Sequence, residues 1–126
     1  LKRHTGVDLA GKKGTPIYAT ADGVVSGEMD NYSGYGTLVL INHGNGYKTL
    51  YAHLSKKIVT NGQRVKRGEI IGYMGNTGLS VSSHLHYEVI KNGEKVNPIH
   101  YFFADLSPEE YQAILEQATI INRSLS

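Results

Sequence analysis

Three short segments of the chain carry histidine and carboxylate residues at spacings that suit metal or acid–base chemistry. They are HTGVD (residues 4–8), YAHL (residues 51–54) and HLHYEV (residues 84–89). In a β-strand, side chains two and four residues apart lie on the same face. His4 and Asp8 are therefore predicted to share a face in the first segment, and His84, His86 and Glu88 to share one in the third.

The second segment is predicted to alternate in the same way. Thr49, Tyr51, His53 and Ser55 would then share a polar face. The opposite face of this strand is apolar, with Leu50, Ala52 and Leu54. Three such strands in one small domain predict that their polar faces converge on a groove.

Zinc is the metal that these residue types fit. The chain has no cysteine, which excludes disulfides and thiolate metal sites. A catalytic zinc takes imidazole or carboxylate from three protein ligands and keeps an open position for water. His4 and Asp8 can reach one ion from one strand, and the third ligand is expected from the pair His84 and His86. Spacing alone does not rank these two, because either can bind the ion while the other addresses the substrate.

Residues 1–103 are predicted to form an all-β body of short antiparallel strands. The runs TLVLIN and YKTLYAHL flank the turn His43-Gly44-Asn45-Gly46, which is typical of a hairpin. Asn61-Gly62 and Asn92-Gly93 predict further tight turns. His43 and His100 are interpreted as structural or solvated.

The tail of the chain has a different pattern. Ser107-Pro108 provides a helix cap followed by proline at the first helical position, and Glu110 lies three residues after the cap. Apolar residues then recur at helical spacing. We therefore predict a single domain over residues 1–126, with a C-terminal amphipathic α-helix over residues 107–123.

Charge and hydropathy exclude two classes of partner. The formal net charge of +2 over 126 residues is too small to predict nucleic-acid binding. No apolar run approaches the length that crosses a membrane, and no signal peptide is evident. Because the chain opens at Leu1 without methionine, we expect it to be part of a longer chain.

Together and in this order, HTGVD, YAHL and HLHYEV resemble the lysostaphin-type zinc endopeptidases of bacterial cell walls, also called the LytM family. The similarity covers almost the whole β-rich part, including ADGVV, SGYGTLVLINHGNGYKTLYAHLS and VKRGEIIGYMGNTG. It implies a mainly antiparallel β fold of the duplicated-hybrid-motif kind, with a long substrate groove walled by loops. It also implies one Zn²⁺ ion per chain.

The resemblance also divides the roles of the candidate residues. It implies that His4, Asp8 and His86 bind the zinc ion. His84 and His53 would form a catalytic pair that does not bind the metal. One of the two would take a proton from the attacking water and the other would donate to the developing oxyanion, and the order stays open.

Three further residues receive two interpretations each. Glu88 is either a residue that orients His86 or an exposed carboxylate on a strand. Tyr35 and Tyr51 either line the groove, where a tyrosine can donate to an oxyanion, or serve packing.

The predicted function is zinc-dependent hydrolysis of peptide cross-links in peptidoglycan, in the bacterial cell envelope, with stem peptides as partners. We expect the D-Ala–diaminopimelate bond rather than a glycyl–glycine bridge, because nothing in the chain resembles a wall-targeting domain.

One alternative is a non-catalytic LytM-like domain that binds cell wall or activates another hydrolase, but all five ligand and catalytic positions are filled. A biotinyl- or lipoyl-type carrier is disfavoured because neither Met29 nor Met74 adjoins a lysine. A third alternative, a structural β module without a site, is disfavoured because three strands would then carry matching polar faces by chance.

Overall fold

The computed structural model describes residues 7–75 and 84–96, which form one antiparallel sheet of nine strands. The strands are β1 (Val7–Ala10), β2 (Pro16–Tyr18), β3 (Gly23–Ser26), β4 (Thr37–Gly44), β5 (Tyr47–Lys57), β6 (Arg64–Val65), β7 (Ile70–Met74), β8 (His84–Lys91) and β9 (Glu94–Val96). Their order is β1-β8-β5-β4-β3-β6, with β7 paired to β5 and β2, and β9 paired to β8. The mainly antiparallel β fold is thus confirmed. The predicted helix over residues 107–123 lies outside the described residues.

Within residues 7–75 and 84–96, no helix is long and apolar enough to cross a membrane.

The predicted turns are confirmed. Asn45 and Gly46 have φ angles of 52° and 81°, and Asn92 and Gly93 have φ angles of 51° and 81°. Two positive φ angles in a two-residue loop define a type I′ turn, whose twist matches the strands on either side. Gly62 also has a positive φ, 90°, in the turn that follows Asn61.

Two apolar clusters pack on opposite faces of the central strands. The core cluster takes buried residues from every strand between β1 and β8 and includes Tyr51, Leu54 and Tyr87. A second cluster lies on the other face, with Tyr35 and Ile90 packed against its buried members. Those members are Met29, Leu38, Leu40, Leu50 and Ala52.

A network of hydroxyl groups runs through the core cluster. The Thr20 hydroxyl lies 2.9 Å from the hydroxyl oxygens of both Tyr51 and Tyr87, and the Thr49 hydroxyl donates to Tyr51 at 2.8 Å. The Nε2 of His43 lies 2.7 Å from the Thr49 hydroxyl. We call these five residues the hydroxyl network. It confirms the structural interpretation of His43.

The prediction that Thr49 and Tyr51 share a polar face with His53 is wrong. Thr49 and Tyr51 are buried, and Tyr51 belongs to the core cluster. Strict alternation would have carried His53 into the core as well, but β5 contains a bulge there. The step from Tyr51 to Leu54 in β5 faces a step of only two residues in β4. The extra residue lets Leu54 return to the core cluster while His53 turns to the opposite side.

The backbone at the bulge takes an uncommon conformation. His53 has a φ of 62°, which costs a residue with a Cβ about 1–2 kcal/mol. Two backbone hydrogen bonds hold it, from His53 N–H to the Tyr35 carbonyl at 2.9 Å and from Gly75 N–H to the His53 carbonyl at 3.1 Å. Left-handed residues other than glycine are concentrated at functional sites, where the surrounding structure compensates for the strain.

Candidate active site

Four of the five predicted site residues lie together on one face of the sheet, which we call the site face. Strand β1 pairs with β8 so that Asp8 faces His86, and β5 pairs with β8 so that Ala52 also faces His86. The Nδ1 of His86 lies 2.8 Å from Oδ1 of Asp8, and the Nε2 of His84 lies 3.6 Å from the same oxygen. The ring centroid of His53 is 5.0 Å from that of His84 and 6.0 Å from that of His86. His4 lies outside the described residues.

The close approach of His53 and His84 depends on one glycine, Gly75. Gly75 donates to the carbonyl of His53 and accepts the N–H of His84, so it joins the two backbones. A Cβ at this position would meet the backbone nitrogen of Ser55 and lie 2.6 Å from the Cα of that residue. Only glycine therefore allows β7 to approach β5 this closely.

A buried carboxylate lies behind His86. Glu88 is 1% exposed, so its interpretation as an exposed strand carboxylate is wrong. Its Oε2 accepts the Tyr35 hydroxyl at 2.7 Å, its Oε1 lies 2.9 Å from Nζ of Lys95, and its Oε2 lies 3.7 Å from Nε2 of His86. The Tyr35 ring also stacks on the His86 ring, with centroids 5.9 Å apart. We call Glu88, Tyr35, Lys95 and His86 the carboxylate network.

The charges around His86 favour its protonated form in the metal-free site. Burial lowers the pKa of His86, but hydrogen bonds and charge from Asp8 and Glu88 outweigh that effect and raise it to about 9. The hydrogen bond from His86 lowers the pKa of Asp8 although burial opposes it, and the nearby charge of His84 and His53 acts in the same direction. The His86 ring thus lies between two carboxylates, those of Asp8 and Glu88.

The remaining members of the carboxylate network shift one another. Burial raises the pKa of Glu88, but hydrogen bonds from His86, Lys95 and Tyr35 lower it overall. The hydrogen bond to Glu88 raises the pKa of Lys95. Burial, followed by the hydrogen bond to Glu88, raises the pKa of Tyr35. Glu88 is therefore ionised and Lys95 charged at neutral pH.

The donor atoms fit part of a zinc site. Asp8 and His86 bring a carboxylate oxygen and an imidazole nitrogen to one point, and zinc uses both atom types. Within residues 7–75 and 84–96, no group of three or more histidine, aspartate or glutamate side chains is placed to hold a metal ion. His4, which the resemblance implies as a zinc ligand, lies outside those ranges.

Lys95 is the member of the site that the sequence interpretation missed. The turn at Asn92-Gly93 sets the register of the hairpin and places Lys95 opposite Ile90, diagonal to Glu88. That register was readable from the predicted turn, but the burial of Glu88 was not. Of the two tyrosines with two interpretations, Tyr35 lies on the site face, whereas Tyr51 is in the core.

Comparison with curated proteins identifies similar peptidoglycan enzymes. The chain is 50% identical over 96 residues to the DD-carboxypeptidase/endopeptidase Mpg of Neisseria meningitidis, covering 76% of this chain and 22% of that protein. It is 48% identical over 99 residues to an uncharacterized metalloprotease of Haemophilus influenzae, covering 79% and 21%. It is also 45% identical over 96 residues to the murein hydrolase activator NlpD of Salmonella typhimurium, covering 76% and 25%. The chain therefore spans about a fifth to a quarter of the length of these relatives.

Solved structures share the fold. The catalytic domain of lysostaphin from Staphylococcus simulans superposes with a TM-score of 0.71 at 34% identity, covering 80% of each chain. A zinc containing peptidase from Vibrio cholerae superposes with a TM-score of 0.65 at 39% identity, covering 74% of this chain and 28% of that one. The model of peptidase family M23 matches residues 2–98, which include all five predicted site residues. The chain belongs to peptidase family M23.

Proposed function

We propose that the chain is a zinc-dependent endopeptidase that hydrolyses peptide cross-links of bacterial peptidoglycan. The observation that carries this proposal is the meeting of Asp8 and His86, 2.8 Å apart, beside the ring pair of His53 and His84. Two potential metal donors and two groups that exchange protons near neutral pH thus lie at one point. The names of the relatives Mpg and lysostaphin, which are peptidases, support the same activity.

The proposed metal site uses three residues and holds one zinc ion per chain. His4, Asp8 and His86 would bind it. When bound, zinc polarises the scissile carbonyl and makes a water molecule acidic enough to act as a nucleophile near neutral pH. A histidine nitrogen binds zinc only when it is deprotonated, so we expect zinc binding by His86 to release a proton.

His53 and His84 are the proposed proton-transfer pair. Their rings are 5.0 Å apart and neither is a proposed ligand. The Nε2 of His84 lies 3.6 Å from Oδ1 of Asp8, so a carboxylate lies beside this ring. His53 is held in place by the bulge and by two backbone hydrogen bonds. One histidine accepts the proton of the attacking water and the other stabilises the developing negative charge.

The substrate we propose is the D-Ala–diaminopimelate cross-link. Support comes from relatives named for DD-endopeptidase activity, including Mpg and the peptidoglycan DD-endopeptidase ShyA of Vibrio cholerae, which is 50% identical over 94 residues. We propose the bacterial cell envelope as the location and peptidoglycan stem peptides as the partners. Residues 1–126 would form one peptidase domain within a longer chain.

The test separates metal binding from proton transfer. His86→Ala should lose zinc, whereas His53→Ala should keep one zinc per chain, measured by metal analysis. Both variants should lose cleavage of a cross-linked muropeptide dimer, read by mass spectrometry. Removal of one positioned proton-transfer group should cost about 10²–10⁴ in rate. Full activity in His53→Ala would overturn the assignment of the pair.

A second function has one specific observation in its favour. The relative NlpD is named as an activator of murein hydrolases, at 45% identity. An activator would stimulate a separate hydrolase on intact peptidoglycan while leaving the muropeptide dimer uncut, and His53→Ala would stimulate as well as the unaltered chain does.

A further inference from the structure

The carboxylate of Glu88 occupies a position where an apolar side chain would fit. Glu88 pairs across strands with Leu50, which is fully buried in the second cluster, and its own side chain is 2% exposed. Removing a carboxylate from water is costly, and replacing a buried charged network by packed apolar residues is often neutral or stabilising. Stability therefore does not account for Glu88, and a role in the neighbouring site does.

Glu88 is held from two sides. Its Oε1 lies 2.9 Å from Nζ of Lys95, and its Oε2 accepts the hydroxyl of Tyr35 at 2.7 Å. These contacts fix the carboxylate plane, because each oxygen has its own donor. The same Oε2 faces Nε2 of His86 at 3.7 Å.

The ring of His86 is constrained in each of its degrees of freedom. The stacked ring of Tyr35, inclined by only 23°, limits its tilt. Carboxylates at opposite nitrogens limit its rotation, with Glu88 at Nε2 and Asp8 at Nδ1. A ring flip would exchange Nδ1 with Cδ2 and Nε2 with Cε1, and would break both carboxylate contacts.

We propose that Glu88 is a positioning residue for His86, which holds the Nε2–H of the ring so that the lone pair of Nδ1 is presented beside Asp8. Tyr35 and Lys95 are the two residues that hold Glu88 in place for this role. At 3.7 Å the contact between Glu88 and His86 is an ion pair, not a hydrogen bond. A carboxylate beside the second N–H of a histidine ligand favours the tautomer with the proton on that nitrogen and makes the ring a more basic ligand. The inference rests on the proposed function in that the ion received at Nδ1 is zinc.

The first arm of the test measures zinc affinity by competition with a chromophoric chelator. Glu88→Gln keeps the size of the side chain and removes its charge, and should weaken zinc binding about 10- to 100-fold. Glu94→Gln is the matched control, because it removes the same charge from an exposed position of the same hairpin and should bind zinc as the unaltered chain does. Tyr35→Phe keeps the stacked ring and removes the donor to Glu88, and should give a smaller loss in the same direction.

The second arm needs no metal. With chelator present, ¹⁵N NMR should show that the His86 ring loses its proton at a lower pH in Glu88→Gln than in the unaltered chain. In Glu94→Gln the His86 ring should titrate as in the unaltered chain. If the unaltered chain binds no zinc, the proposed function fails, and this arm still decides whether Glu88 acts on His86. Unchanged zinc affinity in Glu88→Gln, or an unchanged titration of His86, would overturn the inference.

Discussion

Two polar networks lie on opposite faces of the same strands, and they differ in charge. The hydroxyl network joins Tyr51 and Tyr87 through the Thr20 hydroxyl, inside the core cluster. The carboxylate network centres on Glu88, on the site face. Neighbouring residues of one strand, Tyr87 and Glu88, thus belong to different networks.

The difference separates two tasks. Neutral hydroxyl groups satisfy one another at little cost of desolvation, so they can join strands inside an apolar core. The carboxylate network carries formal charges whose burial is costly, and its members hold His86, a proposed zinc ligand. We expect the hydroxyl network to control stability and the carboxylate network to control the site.

The largest effect is expected where the backbones of His53 and His84, the proposed proton-transfer pair, are joined by Gly75. Gly75→Ala would place a Cβ against Ser55 and force apart the strands that carry His53 and His84. Because a displacement of about 1 Å can cost 10²-fold in rate, cleavage should fall by at least about that factor. Kinetics on a muropeptide dimer would show it. Lys13→Ala, at an exposed turn position, is the control for a general effect of alanine on activity.

The next largest effect tests the hydroxyl network. The hydroxyl of Tyr51 accepts the backbone N–H of Thr20 and contacts the hydroxyls of Thr20 and Thr49. Tyr51→Phe leaves these buried groups short of a partner and should lower the free energy of unfolding by about 1–3 kcal/mol. Urea denaturation measures this. Tyr18→Phe, at an exposed tyrosine, should stay within about 0.5 kcal/mol. Zinc affinity should change in neither variant, and a change in Tyr51→Phe would contradict the separation of tasks.

The pH dependence of stability tests the carboxylate network and its neighbour Asp8, because their pKa shifts make the free energy of unfolding depend on pH. In the metal-free chain the pKa of His86 is raised from 6.5 to about 9, so its stabilisation is complete below pH 6.5 and is lost as pH rises towards 9. The lowered pKa values of Asp8 and Glu88 add stability above their unfolded values of 3.8 and 4.5, which is lost as pH falls. With chelator present, the free energy of unfolding should therefore be greatest between about pH 5 and 6.5, and the single proton of His86 can change it by at most about 1.4 kcal/mol per pH unit. His86→Gln should flatten the alkaline side, and an unaltered slope would exclude His86 as its source.

The smallest change in stability is expected from the carboxylate network itself. Glu88→Leu replaces the carboxylate by an apolar side chain beside Leu50 and Ile90, and Lys95 can turn to water. With chelator present, the free energy of unfolding should change by no more than about 1 kcal/mol, since such replacements are often neutral. Zinc affinity should fall as in Glu88→Gln. A loss of stability as large as that of Tyr51→Phe would show that the two networks do not divide the tasks.

Local rules predicted the parts of this fold that depend on neighbouring residues. The turns at Asn45-Gly46 and Asn92-Gly93 follow from the positive φ angles that these residues tolerate. The common face of His84, His86 and Glu88 follows from strand alternation. Both predictions are confirmed because nothing remote competes with them.

Features that depend on distant residues were not predictable in the same way. His53 reaches the site face through a bulge whose backbone is held by Tyr35 and Gly75. Strand alternation alone wrongly placed Thr49 and Tyr51 on the same face as His53. The burial of Glu88 depends on Tyr35, 53 residues away, and on the hairpin that carries Lys95. The ligand His4 and the helix over residues 107–123 remain predictions, outside the described residues.

The most direct measurement of the central claim is mass spectrometry of a muropeptide dimer cross-linked through a D-Ala–diaminopimelate bond. The dimer would be incubated with the zinc-loaded chain, with the same chain after chelation, and with the chelated chain after zinc is restored. We expect two monomers in the first and third samples and intact dimer in the second. Intact dimer in all three, with one zinc bound per chain, would contradict the proposed zinc-dependent cleavage.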